Sequence, residues 1–180
     1  MTTPEDVLCF WFAADGTFRD VWFAKNALFD AACARFTETL RAAREGAFDQ
    51  WAETPRGALA LVIVLDQFSR NLCRGSPESY AADEQARAVA RIAIASGFDR
   101  AVTPTQRIFF YLPFEHAETL ADQDESVRLF ETLGAKSAES AHRHRDVIRR
   151  FGRFPHRNAA LGRVSTPEEQ AYLAEPGAGF

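Results

Sequence analysis

The chain is predicted to be all-α: a single-domain array of antiparallel helices covering residues 1–180. Three observations carry this. Five of the eight prolines directly follow Ser or Thr, apolar residues recur at three- and four-residue spacing over long stretches, and no stretch alternates apolar with polar or carries a hairpin turn signal. One domain is the default at 180 residues. Hydrophobic residues make up 47%, enough for a packed core without disulfide or metal support. The 16 Phe and 3 Trp point to a core assembled from large rings.

The Ser/Thr-Pro pairs mark helix starts. A hydroxyl can accept a hydrogen bond from a free backbone N–H, and proline already holds the φ of the first helical position. Helices are therefore expected to start near residues 4, 55, 77, 104 and 167. Thr103-Pro104-Thr105-Gln106 and Thr166-Pro167-Glu168-Glu169 add the Gln or Glu of a capping box. Between the first two starts, Asn26–Glu45 carries Leu28, Phe29, Ala32, Cys33, Phe36 and Leu40 at helical spacing. Ala58–Leu65 is eight apolar residues in a row and could be a buried strand. The polar Asp66-Gln67-Phe68-Ser69-Arg70 follows without a turn residue, which favours one central helix, apolar all round at its start. Pro113 is expected to break the helix that starts at 104. Asp122–Leu133 and Ser137–Phe151 are helical by period, the latter with a seam of His144, Val147, Ile148 and Phe151 ended by Gly152 and Pro155. Phe154–Ser165 reads as an ordered return loop. The rings of Phe10-Trp11-Phe12, Trp22-Phe23 and Trp51 are assigned to the core and to packing between helices.

Charge and cysteine usage narrow the function classes. The formal net charge is −4, which weighs against nucleic acid as a partner. Cys9, Cys33 and Cys73 form an odd set without CxxC spacing, and the N-terminus lacks the basic start of a secretory signal; both fit a reducing cytoplasm. No apolar run approaches the ~20 residues needed to span a bilayer, so no membrane partner is expected. Arginine outnumbers lysine 19 to 2, which fits a GC-rich genome. That bias does not explain why seven arginines and a single acid fall within 142–163 of an acidic chain. Either an anion or the chain's own carboxylates must meet them.

Four motifs could carry chemistry. In Leu65-Asp66-Gln67-Phe68-Ser69-Arg70-Asn71, helical spacing pairs Asp66 with Arg70 and Gln67 with Asn71, as a structural ion pair or as a guanidinium held ready for an anion. In Tyr111-Leu112-Pro113-Phe114-Glu115-His116-Ala117-Glu118, His116 and Glu118 are raw material for acid–base catalysis, but their spacing of two would splay them on one helix, and the His-Glu-x-x-His zinc spacing is absent. His144, on an apolar seam, reads as a hydrogen-bonded core histidine. In Arg149-Arg150-Phe151-Gly152-Arg153-Phe154-Pro155-His156-Arg157-Asn158, the planar forks of arginine suit carboxylate or phosphate, or they are already filled by Asp66, Glu115, Glu118 and Asp122. Neither a Gly-rich phosphate loop nor a G-x-S-x-G elbow occurs, and no metal or cofactor is implied.

Taken in order, Phe10-Trp11-Phe12, Trp22-Phe23, the Leu65–Asn71 string, the Tyr111–Glu118 string, Asp122-Gln123, Arg150–Asn158, Leu161-Gly162-Arg163-Val164-Ser165-Thr166 and terminal Phe180 resemble the bacterial domain-of-unknown-function family 924 over roughly residues 7–180. The resemblance implies an all-helical fold like that of tetratricopeptide-repeat proteins and carries no established activity. The family pattern has proline where this chain has Ser69, methionine where it has Glu115, and serine where it has Ala117, so a serine nucleophile beside His116 cannot operate here. The 34-residue repeat signature is also absent.

The leading expectation is a helical binding protein. Its concave pocket would take a small anion or a carboxylate-bearing peptide end on Asp66, Gln67, Arg70, Asn71, His116, Glu118, Arg149, Arg153, His156, Arg157 and Asn158. The alternatives are a metal-independent hydrolase or lyase using His116 with Glu118, and a structural or protein-interaction scaffold in which the charged motifs form an internal network.

Overall fold

The computed structural model describes residues 2–13 and 18–179. Its helices are α1 (Pro4–Trp11), α2 (Ala27–Cys33), α3 (Thr37–Arg44), α4 (Pro55–Val62), α5 (Ser69–Leu72), α6 (Asp83–Ala95), α7 (Pro104–Glu115), α8 (Leu120–Glu131), α9 (Ala135–Phe151) and α10 (Pro167–Leu173). Among the described residues there is no strand, and no helix is long and apolar enough to cross a membrane.

Four of the five Ser/Thr-Pro pairs open helices, at Pro4, Pro55, Pro104 and Pro167. The Thr3, Thr54, Thr103 and Thr166 hydroxyls each accept from a backbone N–H three residues on. In three of these starts an acid or amide side chain returns to the cap N–H and closes a capping box: Asp6, Gln106 and Glu169. The fifth pair behaves differently. Ser76-Pro77 opens only a 3-10 turn, Pro77–Ser79, and the next helix begins at Asp83. The expected single helix over 26–45 is also interrupted: α2 ends at Cys33, a 3-10 turn covers Ala34–Phe36, and α3 follows. Phe36, in that turn, stacks on Phe68 and meets Phe10 edge-on. Leu28, on the expected apolar stripe, is 85% exposed, because the buried side of α2 is set by Phe29 and Cys33.

The chain divides into two units. The first comprises Met1–Arg74 and Glu78–Pro113; the second comprises Gly75–Pro77 and Phe114–Phe180. At the heart of the first unit, α4, a π-helical turn Ile63–Phe68 and α5 run on without a break. Residues 57–69 are all buried, as a helix apolar all round requires. Gly57 makes this possible: a Cβ there would come 2.2 Å from the Trp51 carbonyl oxygen, so only glycine allows the first turn of α4 to lie against the 3-10 turn Asp49–Glu53. Around the central helix Trp11 meets Trp22, Phe29, Phe68 and Phe109, with ring centroids 5.5–6.3 Å apart. Arg19 caps the C-terminal end of α1 by donating to the Phe10 and Trp11 carbonyls. Phe23, expected in the core, is instead 54% exposed, stacked on Phe18 and Phe109 at the edge of the ring cluster.

In the second unit α8 and α9 pack on each other, joined by the short turn Thr132–Gly134. α9 ends where the sequence predicts, with Gly152 in the left-handed conformation and its N–H on the Ile148 carbonyl. Val147, Ile148 and Phe154 form a small core that Phe151 and Tyr172 extend. Pro113 does not break α7, which runs on to Glu115. Proline near the C-terminal end forfeits one hydrogen bond, but the helix end is then capped from outside: the fully buried Gln123 carboxamide donates to the Glu115 and Ala117 carbonyls at 2.7 and 2.8 Å.

Candidate functional site

In the first unit, the Leu65–Asn71 motif sits on the π-helical turn and α5. Such turns recur at functional positions, because the extra residue per turn redirects side chains. Here it accompanies full burial of the Asp66 carboxylate. Asp66 accepts from Gln67 and lies 3.1 Å from Arg70, whose fork is also gripped by both oxygens of Asp83 at 2.9 and 3.0 Å. Burial opposes the charge on Arg70, but the two carboxylates outweigh it and hold the guanidinium protonated above its ordinary range. Asn71 donates to Asp30, which also receives a bidentate contact from Arg74. The pairing of Asp66 with Arg70 is therefore present as the spacing predicts. Asp83 and Asp30, distant in sequence, carry no local signal of their role.

In the second unit the Glu115-His116-Ala117-Glu118 string splays its carboxylates. Glu115, 3% exposed, accepts from the Ser140 hydroxyl at 2.8 Å and lies 3.1 Å from His144 Nδ1. The Ser140 carbonyl lies 2.9 Å from the same nitrogen. Both neighbours are acceptors, which assigns the proton to Nδ1. Burial pushes His144 down to about 3, with the nearby His116, His156 and Arg157 adding to the shift, so the imidazole is neutral at pH 7 and its contact with Glu115 is a hydrogen-bonding one. Since the Ser140 hydroxyl and the Glu115 carboxylate both approach Nδ1, this is not the relay of a serine hydrolase, which uses the two ring nitrogens separately.

Glu118 points the other way. It takes both donors of the Arg163 fork, at 2.7 and 3.0 Å, and the Phe154 N–H at 2.7 Å. Burial raises its pKa, but these donors win and hold it below the usual carboxylate range. It is an ionised acceptor at neutral pH, not a proton donor. The His116 carbonyl accepts from Arg157, whose guanidinium lies over the Phe154 ring, 4.6 Å from its centroid.

The arginine-rich segment is drawn together by α10. Glu169, 2% exposed, holds the Arg153 fork at 2.6 and 2.8 Å, the Asn158 amide at 3.2 Å and its own cap N–H at 2.8 Å. The Arg153 hydrogen bond is the main reason its carboxyl is lowered to about 2. The capping box made Glu169 visible in the sequence, but only as a cap; its grip on Arg153 was not legible. His156 packs on Phe154, and Arg150 pairs with Glu168. Of the four carboxylates expected to fill the forks of that segment, Asp66 instead pairs with Arg70 and Glu118 takes the fork of Arg163, both outside it. Glu115 meets Ser140 and His144, and Asp122 accepts from the Thr119 hydroxyl at the cap of α8.

Arg145 and Arg149 are held differently. One turn apart on α9, they converge on a single oxygen, Asp124 Oδ1, at 3.5 and 3.6 Å, beyond hydrogen-bonding length. Asp146 is a further 4.0 Å contact of Arg149, and His142 takes one Arg145 donor. The Arg145 Nε is buried without a hydrogen-bond partner. Among the described residues no group of His, Cys, Asp and Glu could hold a metal ion.

No curated protein matches the chain. A solved structure described as a protein of unknown function, ATU0120 from Agrobacterium tumefaciens, is similar at 44% identity and a TM-score of 0.89, covering 95% of this chain and 96% of that one. Residues 7–177 match the family described as bacterial protein of unknown function, DUF924, and terminal Phe180 of the quoted pattern lies outside the described residues. With nearly the whole chain matched and the charged strings in place, this protein belongs to the DUF924 family.

Proposed function

We propose that the protein is a helical binding scaffold that takes a small anion or a carboxylate-bearing peptide end on guanidinium groups of the second unit. The observation that carries the reading is the convergence of Arg145 and Arg149 on one oxygen of a half-exposed Asp124 at distances too long for a hydrogen bond. A carboxylate or phosphate that displaced Asp124 would gain charge-assisted contacts that the resting arrangement lacks. Arg153 and His156 adjoin this binding surface, Arg157 and Asn158 being buried beside them in the chain, and Asp66, Gln67, Arg70 and Asn71 hold the first unit. A tetratricopeptide-like stacking of helices belongs to the same reading, with the α8–α9 pair as its clearest element. Addition of phosphate or citrate is expected to raise the melting temperature of the protein. In Arg149→Ala that rise is lost while the helical signal is kept. If no anion stabilises the unmodified protein, the reading falls.

A second reading is favoured by Arg153, Arg163 and Arg70, whose forks are filled by Glu169, Glu118 and Asp83: the motifs form an internal network that holds an interaction scaffold together. Acid–base chemistry by His116 with Glu118 would require Glu118 to leave Arg163. A substrate screen in which turnover vanishes in His116→Ala decides for that enzyme.

A further inference from the structure

Arg145 and Arg149 stand one turn apart on α9, about 6 Å along the axis. Each turns a single Nη towards the same oxygen, Asp124 Oδ1, at 3.5 and 3.6 Å. Among the described residues neither Asp124 nor Arg149 makes a side-chain hydrogen bond; the further charge contact of Arg149 is Asp146, at 4.0 Å. Arg145 is fixed from its other side. Its Nη2 donates to His142 Nδ1 at 3.0 Å. A guanidinium only donates, so that ring nitrogen is the acceptor and the ring proton is assigned to Nε2, which faces Glu131 Oε1 at 3.5 Å. The Arg145 Nε is buried. Nη1 is therefore the end of Arg145 that remains to meet Asp124. Both Asp124 and Arg149 are half-exposed, so the point where the charges converge can be reached from solvent.

Charge and shape both select what could replace Asp124. Two cations share one close carboxylate oxygen, which leaves an excess of positive charge at that point. Exchanging Asp124 for another carboxylate keeps the excess. A phosphate group, carrying about −1.5 to −2 at neutral pH, cancels it. A planar carboxylate is held best by a fork of two N–H groups from one guanidinium. Arg145 offers no such fork, because Nη2 is on His142 and Nε is sealed. Single N–H groups from two guanidiniums suit oxygens that point in different directions, as those of a tetrahedral group do.

We propose that Arg145 and Arg149 form a seat for a phosphate dianion, free or as the monoester of a small molecule, that Asp124 occupies the seat as a resident competitor, and that His142 positions Arg145 for it. The proposal rests on the anion-binding reading above and narrows its ligand class.

Calorimetric titration with phenyl phosphate, inorganic phosphate and benzoate tests the seat, at fixed ionic strength and pH 8, well above the second phosphate pKa of about 6. Phenyl phosphate is expected to bind at least tenfold tighter than benzoate, and Arg149→Ala to weaken it tenfold or more with the helical signal kept. Asp124→Asn should tighten both ligands by a common factor, because a resident competitor weakens each alike. Should Arg149→Ala lose its helical signal, Asp124→Asn decides alone. His142→Ala should weaken phenyl phosphate several-fold, and His142→Asn, which keeps an acceptor near Nδ1, should restore it; equal affinity in His142→Ala and the unmodified protein overturns the positioning role. Inorganic phosphate binding as tightly as phenyl phosphate supports the free ion as the source, and tighter phenyl phosphate supports the monoester. Benzoate binding as tightly as phenyl phosphate, with both lost in Arg149→Ala, overturns the phosphate class and leaves the anion reading standing. If none of the three binds, or binding is indifferent to Arg149→Ala and Asp124→Asn, the seat and the anion reading fall together.

Discussion

The central helix of the first unit and α9 of the second bury their faces by opposite means. From Ala58 to Leu65 the first is apolar on every side and fully buried, and further on Phe68 alone meets Phe10, Trp11 and Phe36. The second carries a small core of Val147, Ile148 and Phe154, and what surrounds it is charged: Arg153 with Glu169, Arg163 with Glu118, and neutral His144 against Glu115. Apolar burial is non-directional and carries no titrating group. Ion pairs weaken with salt, and buried imidazoles titrate. The two units should therefore respond alike to core truncation and differently to pH and ionic strength.

The largest effects test the shared behaviour. Phe68→Ala should cost about 3–5 kcal/mol through lost burial and a cavity. Gly57→Ala should cost comparably, since its Cβ meets backbone rather than a flexible side chain. Arg70→Ala leaves Asp66 fully buried beside Asp83 and is expected to cost about 3–5 kcal/mol. Urea unfolding checks all three, and a negligible loss for Arg70→Ala would show that its pair is not a buried one.

Glu118→Gln, which breaks a quarter-exposed bidentate pair, should cost about 1–3 kcal/mol, between the exposed and buried limits. The loss should appear in hydrogen exchange of α9 and the return loop, with α4 amides unchanged. Acid sharpens the contrast further. His144 is lowered to about 3 in the folded protein, so the unfolded chain takes up a proton first and stability falls as pH drops from about 6.5 towards 3. Glu169, lowered to about 2 from an ordinary 4.5, contributes stability that is complete above pH 4.5 and lost as pH falls towards 2. Exchange of second-unit amides should accelerate through both windows; Glu169→Gln should flatten the lower one. If α4 amides follow the same acid profile, the contrast between the units is wrong. The smallest effect is expected at the exposed Glu5–Arg56 pair, where Arg56→Ala should cost about 0–1 kcal/mol despite two short hydrogen bonds.

What was legible in the sequence was local. A hydroxyl before proline caps whatever follows it, so Thr3, Thr54, Thr103 and Thr166 announce their helices; Gly152 announces the end of α9 because glycine accepts the left-handed φ found there. Ser76-Pro77 shows the limit. The cap chemistry is right, but the residues after it turn only once before α6 begins at Asp83. Pro113 misled in the opposite direction: α7 runs two residues past it, to an end capped by Gln123, a residue ten positions away that local pattern could not connect to it.

By itself the sequence determined the helical class, most helix starts, the buried central helix and the Asp66–Arg70 pair. All of these depend on groups within four or five residues of one another, where helix geometry dictates what meets. The tertiary structure alone decided which carboxylate each arginine meets: Glu118 for Arg163 across 45 positions, Asp83 for Arg70 across 13, Glu169 for Arg153 across 16. A guanidinium has no intrinsic preference among carboxylates. Its partner is set by which side chain the packed helices bring within about 3 Å, and that is a property of the folded chain as a whole.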